Sequence, residues 1–539
     1  MQESILGIYL IAIAFFSLPM LKIWQILFIT WAVFCFFLLK SAQAKTNKTA
    51  AALPANIKSF PLKLLLFFFI FFTAISIQII PLIKHQQIYT GFDTGYYRNY
   101  LVFKNHRPPG TPFHIMENSW LVRKIFDLFR IAKIPANISI FLIPAAFTLI
   151  SIFGIYLIGK EIHSDSAGII GAFLFAASPI QFLTFQYLFI KNIIAISLLI
   201  FFFLAFIKFL KQTSRANPNK KTILKLQITC LGALSLILLA HRTTTFIASA
   251  VLIFFALICF FQNFNTQKIK KRSFYLLLAL IFFAIGIWVN FPAVKILLKE
   301  ILSNFKDFDP FAVKEGIFLA PKDYLLLSAS IIPLALFGYL EKIREKELDI
   351  FFAFSTVCLI WILFQLIFYK RIIIFLDLAV IFLAMPPIAK ILNHNSLPKL
   401  YKSFFVFILI FSSAFIGFKT ALSIKPEISA QELKEMQNLA QLPEGTALAM
   451  SSTNSSWIYG WTPHRIIAPG LFENLWPYDV WKSFWDENNP IWFERKKELI
   501  ALYNREPLYI FTGENIPLPA LPKECLEKIS EMVWVWKCD

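Results

Sequence analysis

Apolar runs of about 20 residues recur along this chain, each long enough to cross a hydrocarbon core of about 30 Å as a helix. Stretches 5–20, 23–39, 62–83, 137–159, 166–186, 189–209, 224–240, 243–262, 274–292, 324–340, 349–368, 371–391 and 403–424 meet that requirement, giving about 13 spans. The first two, and the run around Ser178-Pro179, are short or interrupted, so 12 to 14 spans fit equally. Lipid offers the backbone no hydrogen-bonding partner, so such runs must be helical. The expected fold class is an all-α polytopic membrane bundle. A hydrophobic share of 58% with 62 Phe excludes a disordered chain. The net charge of +20 lies in gaps between apolar runs and not along a groove, which excludes a nucleic-acid binder.

Lys and Arg in short loops set orientation. Segment 40–63 holds Lys40, Lys45, Lys48, Lys58 and Lys63 with no acid, while 208–225 and 268–272 are similarly basic. These loops, with 341–348 and 393–402, are expected in the cytoplasm of a plasma-membrane protein. The amino terminus is then inside. Segment 84–136, the turns at Lys191, His241-Arg242 and Lys370-Arg371, residues 293–323 and everything after about 425 face outside. Gln2 and Glu3 replace the basic start of a cleavable signal, so the first run is read as a retained span. Three regions result: 1–61, amino-terminal spans and a cytoplasmic loop; 62–424, the main membrane domain with the large outside loop 84–136; and 425–539, an exported soluble domain.

The two outside regions exceed what linking spans requires. From Glu117 to Lys133, Leu121, Ile125, Leu128 and Phe129 recur at helical spacing among basic residues, which predicts an interfacial amphipathic helix anchored by Trp120 or a solvated loop helix. The tail reads as a small α/β module. Thr446–Met450, Leu508–Phe511 and Met532–Trp536 are strand-like, residues 488–504 helical, and Trp457–Pro463 an aromatic turn. Its Trp residues suit an aromatic core packed on the membrane domain, or carbohydrate contact. Cys525 and Cys538 are candidates for a disulfide in an oxidising compartment; Cys35, Cys230, Cys259 and Cys358 are packing residues of spans.

Charge near hydrocarbon is costly, so ionisable residues at span ends are functional candidates. Asp93, Lys191, His241, Arg242, Lys370 and Arg371 all fall on the outside boundary. One carboxylate among several cations suits a reaction on a lipid-linked phosphate: cations grip the phosphate while the acid accepts a proton from the attacking group. The cations equally suit snorkelling anchors, and Asp93, in Asp-Thr-Gly, equally suits a turn or helix cap. Asp377, inside a span, is expected to pair with a neighbouring Arg or Lys. His114-Ile115-Met116-Glu117 is too short for a metal site. A divalent metal fits the chemistry, but no ligand set appears, and no other cofactor is indicated.

Several stretches resemble the GT-C class of membrane glycosyltransferases, which includes protein O-mannosyltransferases and lipid A aminoarabinose transferases. They are the first-loop acid Asp93; the basic-Pro-Pro element His106-Arg107-Pro108-Pro109; the turn Gly159-Lys160 leading into Ala167–Pro179, which ends in Ser178-Pro179; and the basic turns at His241-Arg242 and Lys370-Arg371. The resemblance covers roughly 62–424 and implies an enzyme that transfers a sugar, with inversion, from a polyprenyl-phosphate donor to a lipid, glycan or protein acceptor at the outer face. It implies Asp93 as base or acceptor-positioning residue and Arg107 as a ligand of donor phosphate; Lys191, His241, Arg242, Lys370 and Arg371, read from their place at the outer boundary, are expected to bind the same phosphate. Where many members carry a second acid, Gln186–Asn192 has none, and Lys191 stands there instead. Alternatives are a polysaccharide polymerase or ligase using a lipid-diphosphate donor, a lipid or solute transporter, and a membrane scaffold.

Overall fold

The computed structural model describes residues 60–85, 91, 93–103, 119–215, 219–262, 318–366, 368–467, 507–514 and 523–537, with part of 30–38 and residue 284. Run 5–20, most of 274–292, Arg107, the stretch 488–504 and Cys538 lie outside the described residues. In chain order the helices are α1 (Phe60–Lys84), α2 (Thr94–Val102), α3 (Trp120–Ile131), α4 (Ala136–Ile162), α5 (Asp165–Ala176), α6 (Pro179–Gln186), α7 (Ile190–Thr213), α8 (Lys220–Ala240) and α9 (Arg242–Gln262). They continue as α10 (Pro321–Leu327), α11 (Ile332–Glu345), α12 (Ile350–Leu363), α13 (Tyr369–Asn393), α14 (Lys399–Ser423) and α15 (Ala430–Leu439).

Among the described residues 7 helices, namely α1, α4, α7, α8, α9, α13 and α14, are long and apolar enough to cross a membrane. The count is up to 9 if α5–α6, bent by 44°, and α10–α11, bent by 102°, are each one span. The expected span 349–368 is shorter: α12 ends at Leu363, where the left-handed backbone of Gln365 (φ 48°) and Phe368 (φ 56°) cannot continue a helix. The break at Ser178 has a local cause. Its side chain accepts from the amides of Ile180 and Gln181, and Pro179 fills the first helical position, so a new helix starts inside the membrane.

The centre of the bundle is α13, buried along nearly its whole length against α5, α11 and α12. Among the described residues its Asp377 pairs with neutral groups and not with the Arg or Lys that the sequence leads one to expect. The carboxylate accepts from Ser178 Oγ at 2.8 Å and Gln181 Nε2 at 2.9 Å, with Ser328 Oγ at 3.5 Å. Both bent pairs thus bring neutral donors to one buried acid, and hydrogen bonding takes the place of an ion pair.

The end of the bundle away from the tail is sewn by ion pairs. Lys63 meets Asp165 at 2.6 Å, Lys211 meets Glu161 at 3.1 Å, Lys342 meets Asp349 at 2.5 Å, and Lys390 meets Glu341. Segments around 63, 160–165, 208–215 and 341–349 therefore share one side, as the loop charges predict.

The tail forms a sheet of five strands: β1 (Thr446–Ala449), β2 (Arg465–Ile467), β3 (Leu508–Phe511), β4 (Leu526–Lys528) and β5 (Val533–Trp536), in the order β2-β1-β3-β5-β4. β1 is parallel to β2 and β3, and β5 is antiparallel to β3 and β4. Residues 457–463, expected as a turn, fall mostly in helix α16 (Ser452–Trp461). Parallel neighbours β1 and β2 need a crossover, and α16 is it. Trp457 and Tyr459 are almost wholly buried, so the aromatic residues of α16 form core. Cys525 is disulfide-bonded, while Cys35, Cys230 and Cys358 are buried thiols of the bundle. Helix α3 forms where expected, but its buried stripe is Val122 and Phe126, while Leu128 is 65% exposed. Phe126 stacks on Tyr97 at 5.3 Å, so α3 docks on α2 through a face one residue away from the expected one.

Candidate active site

Asp93 precedes α2, and two glycines fix where it sits. A Cβ at Gly91 would lie 2.6 Å from Gln186 O, so the backbone before Asp93 rests directly on the junction between α6 and α7. The amide and hydroxyl of Thr94 both donate to Gly91 O, closing the turn. One turn later, a Cβ at Gly95 would meet Ser456 O at 1.6 Å, and one at Gly460 would lie 2.5 Å from Gly95 Cα. Helices α2 and α16 therefore touch backbone to backbone. Asn99 Nδ2 donates to Tyr459 O at 2.8 Å, Arg98 donates to Gly460 O, and the Arg98 guanidinium lies 4.5 Å from the Trp461 ring centre. The tail is thus a rigid support for the helix that carries Asp93.

Gly95→Ala should consequently cost about 3 kcal/mol or more, because backbone and not a movable side chain must give way. Limited proteolysis of the membrane-inserted protein should release the tail in this variant. Gly232→Ala is the control: nothing lies within 4 Å of the added methyl group, and protection should be unchanged.

As the helix-cap reading of the sequence requires, Asp93 stands at the cap position of α2; its side chain, however, makes no capping bond. The carboxylate instead interacts with Arg371 and Lys191. Lys191 opens α7 just after Leu188, whose φ of 53° turns the chain, and it also lies in the field of Arg242 and Arg371. Arg371 sits in the first turn of α13 after the left-handed Phe368, with its guanidinium 4.8 Å from the Phe189 ring centre and 5.6 Å from that of Phe368. Among the described residues its Nε is a buried donor without an acceptor. Four separated stretches therefore meet around one acid: the start of α2, the start of α7, the α8–α9 turn and the start of α13.

One member differs from the sequence reading in its charge. His241 is present, with Nδ1 2.8 Å from Thr244 Oγ1, but burial together with the charges of Lys191 and Arg371 pushes its imidazole down to about 3. It is a neutral group, and the positive charge comes from Lys191, Arg242 and Arg371. Lys370 adjoins Arg371 on α13, and consecutive helical residues do not face the same way. Arg371 is the one of the two whose charge acts on Asp93 together with that of Lys191.

Two residues were not singled out from sequence. Tyr97, one helical turn after Asp93, is buried, bonds the backbone of Lys191, and is raised well above its ordinary pKa by burial and by the Asp93 charge. Glu427, just beyond α14, is pushed up to about 7 by desolvation and by Asp93. The i, i+4 spacing could have flagged Tyr97, and an acid directly after the last span could have flagged Glu427. Among the described residues no group of three or more His, Cys, Asp or Glu is arranged to hold a metal ion.

No protein-family profile and no curated protein matches the chain by sequence. Solved structures do. The archaeal oligosaccharyltransferase AglB from Archaeoglobus fulgidus, in complex with an inhibitory peptide and a dolichol-phosphate, superposes with a TM-score of 0.59 at 13% identity, covering 84% of this chain and 70% of that one. ArnT from Cupriavidus metallidurans gives 0.55 at 12% identity, covering 89% and 98%. The chain has the GT-C fold. A third GT-C structure, the arabinofuranosyltransferase AftD from Mycobacteria, gives 0.53 at 14% identity over 86% of this chain and 36% of that one. ArnT bound to undecaprenyl phosphate also matches, at 0.52 and 11% identity.

Desolvation pushes the Asp93 carboxyl up from its ordinary 3.8 to about 6, against the pull of Arg371 and Lys191. A base must be ionised, so a reaction that uses Asp93 as base gains rate as pH rises through about 6. Its contribution to stability has the opposite sign. With the folded-state pKa raised, that contribution is complete below about 4 and is lost as pH rises through about 6. Activity measured from pH 4.5 to 8 in Glu427→Gln, which removes the second titrating acid, should show one limb near 6; a flat profile contradicts Asp93 as base.

Proposed function

We propose that this chain is a glycosyltransferase that moves a sugar from a polyprenyl-phosphate donor to an acceptor, with Asp93 as base or acceptor-positioning acid and Arg371 as principal phosphate ligand. The observation that carries this reading is the buried, partly unpartnered guanidinium of Arg371 beside Asp93 and Lys191, at the tail end of a GT-C bundle. AglB and ArnT have been solved with dolichol-phosphate and undecaprenyl phosphate respectively, which supports the same donor class here.

The donor lipid lies in the bilayer with its phosphate at the level of Lys191, Arg242 and Arg371. Attack by an acceptor oxygen or nitrogen forms a new bond to the anomeric carbon as the bond from that carbon to the phosphate oxygen breaks, inverting its configuration. The bonding electrons leave on the phosphate, where the cations stabilise them, and the proton of the acceptor passes to Asp93. Preorganised charge in a water-poor site is the larger contribution, and a positioned base adds about 10²–10⁴-fold. His241, neutral beside two cations, can hold a phosphate oxygen by an N–H bond without adding charge. Arg107 completes the donor site in this reading.

The reading also places the protein in a plasma membrane, with the tail-bearing face and the segment 425–539 outside and the basic loops in the cytoplasm. The test is transfer of label from a polyprenyl-phosphate hexose or pentose by the full chain in nanodiscs. Asp93→Asn and Arg371→Ala should each abolish most of it; unchanged rates in both would overturn the assignment.

A further inference from the structure

Between the end of the bundle and the tail lies an open cavity of about 630 Å³ that meets the site above only at Glu427. Its volume is within the range of small-ligand sites, about 300–1,000 Å³. One wall is the end of α1, where Lys84 Nζ donates to Leu422 O and His85 Nε2 to Ile424 O, fastening that helix to the end of α14. The opposite wall is the start of α16, with Ser451, Thr453 and Asn454. Glu432 also lines the cavity but is already engaged: its carboxylate accepts from the Ser429 amide, the Asn454 amide group and the Glu514 amide. The floor between the walls is the connector holding Lys425 and Glu427.

The chemistry of this lining is selective. Hydroxyls, an amide and charges of both signs surround the space, and only Pro426 and Ile428 are apolar. Such a surface offers many hydrogen bonds to a hydroxyl-rich ligand, lacks the apolar area that anchors side chains of a peptide, and has no excess of cations for a second phosphate. Glu427 belongs to the cavity and also interacts with Asp93, so the cavity adjoins the reacting centre through this one carboxylate.

We propose that the cavity is the subsite for a hydroxyl-rich glycan acceptor, and that Glu427 holds the acceptor hydroxyl on its way to Asp93. The inference rests on the glycosyl-transfer reading and deepens it by naming the acceptor class.

The experiment measures binding and not turnover. The full chain in nanodiscs is titrated by saturation-transfer NMR with mannotriose, chitotriose, arabinotriose and a Ser-rich hexapeptide. At least one trisaccharide should bind saturably and more tightly than the peptide. Thr453→Trp, which fills the cavity, should weaken that binding at least about 10-fold, and Glu427→Gln about 3-fold or more. Thr453→Gln, a milder change that guards against misfolding of the Trp variant, should give an intermediate loss, with thermal unfolding confirming that each variant is folded. Absence of trisaccharide binding, preference for the peptide, or binding indifferent to both Thr453 variants overturns the proposal. An Asp93→Asn protein that still transfers sugar overturns the broader reading and leaves the binding result standing.

Discussion

Asp93→Asn should lower sugar transfer by about 10²–10⁴-fold in a protein that remains folded, if Asp93 is the proton acceptor of the proposed reaction. The amide has the shape of the carboxylate, and the Asp93 side chain makes no capping bond whose loss would unwind α2. Stability should be unchanged or slightly greater, because burial disfavours the charged form in the native state. A purely structural acid would behave in the opposite way, losing stability and activity together. Single-turnover transfer from a saturating polyprenyl-phosphate sugar, measured alongside thermal unfolding of the same preparation, separates the two.

Arg371→Ala should have the second large effect, about 10²–10³-fold on the rate at saturating donor, by analogy with removal of one preorganised donor from a developing oxyanion. The guanidinium lies 4.8 Å from the Phe189 ring centre and 5.6 Å from that of Phe368, and its Nε has no protein acceptor among the described residues, so the chain holds a cation ready for an anion from elsewhere. Arg371→Lys restores charge but neither the ring contacts nor paired donation, and should recover only part of the rate. If Arg371 were a snorkelling anchor, Lys would serve equally well and donor affinity would not change; lipid-phosphate binding by both variants decides this.

Much of the bundle was legible because hydrocarbon imposes a length and an apolar composition that few other structures share. The spans near 62–83, 137–159, 189–209, 224–240, 243–262, 371–391 and 403–424 all appear as helices close to those limits. What periodicity could not supply was the interruption of spans. The bend between α10 and α11 depends on backbone at residues 328–331 that is apolar enough to look continuous, and the early end of α12 depends on a left-handed Gln365. Asp377 was visible as a costly residue, but its partners Ser178 and Gln181 lie almost 200 positions away and ordinary Ser and Gln carry no mark of their contacts.

The candidate site was partly legible for a related reason. Asp93, Lys191, Arg242 and Arg371 interrupt apolar sequence, and the alternation of spans places them at one end of the bundle, where the structure brings them together. Tyr97 and Glu427 escaped notice: a Tyr in Gly95-Tyr96-Tyr97 looks like any interfacial aromatic, and Glu427 stands in a polar connector where an acid costs nothing until the tail folds over it. His241 was visible as a residue but not as a neutral one, since its state depends on burial beside Lys191 and Arg371. In the tail, Trp457 to Trp461 read as a turn because Gly460 interrupts the pattern; that glycine is there for contact with Gly95 and not for a bend.

The most direct measurement is the release of polyprenyl phosphate from a polyprenyl-phosphate hexose or pentose by the full chain in nanodiscs, followed beside Asp93→Asn and Arg371→Ala. The account predicts that free lipid phosphate and transferred sugar appear together in equal amounts with the unaltered chain, and that both fall at least about 100-fold in each variant. Equal release by all three proteins, or movement of the lipid across the bilayer without release of its sugar, would contradict it.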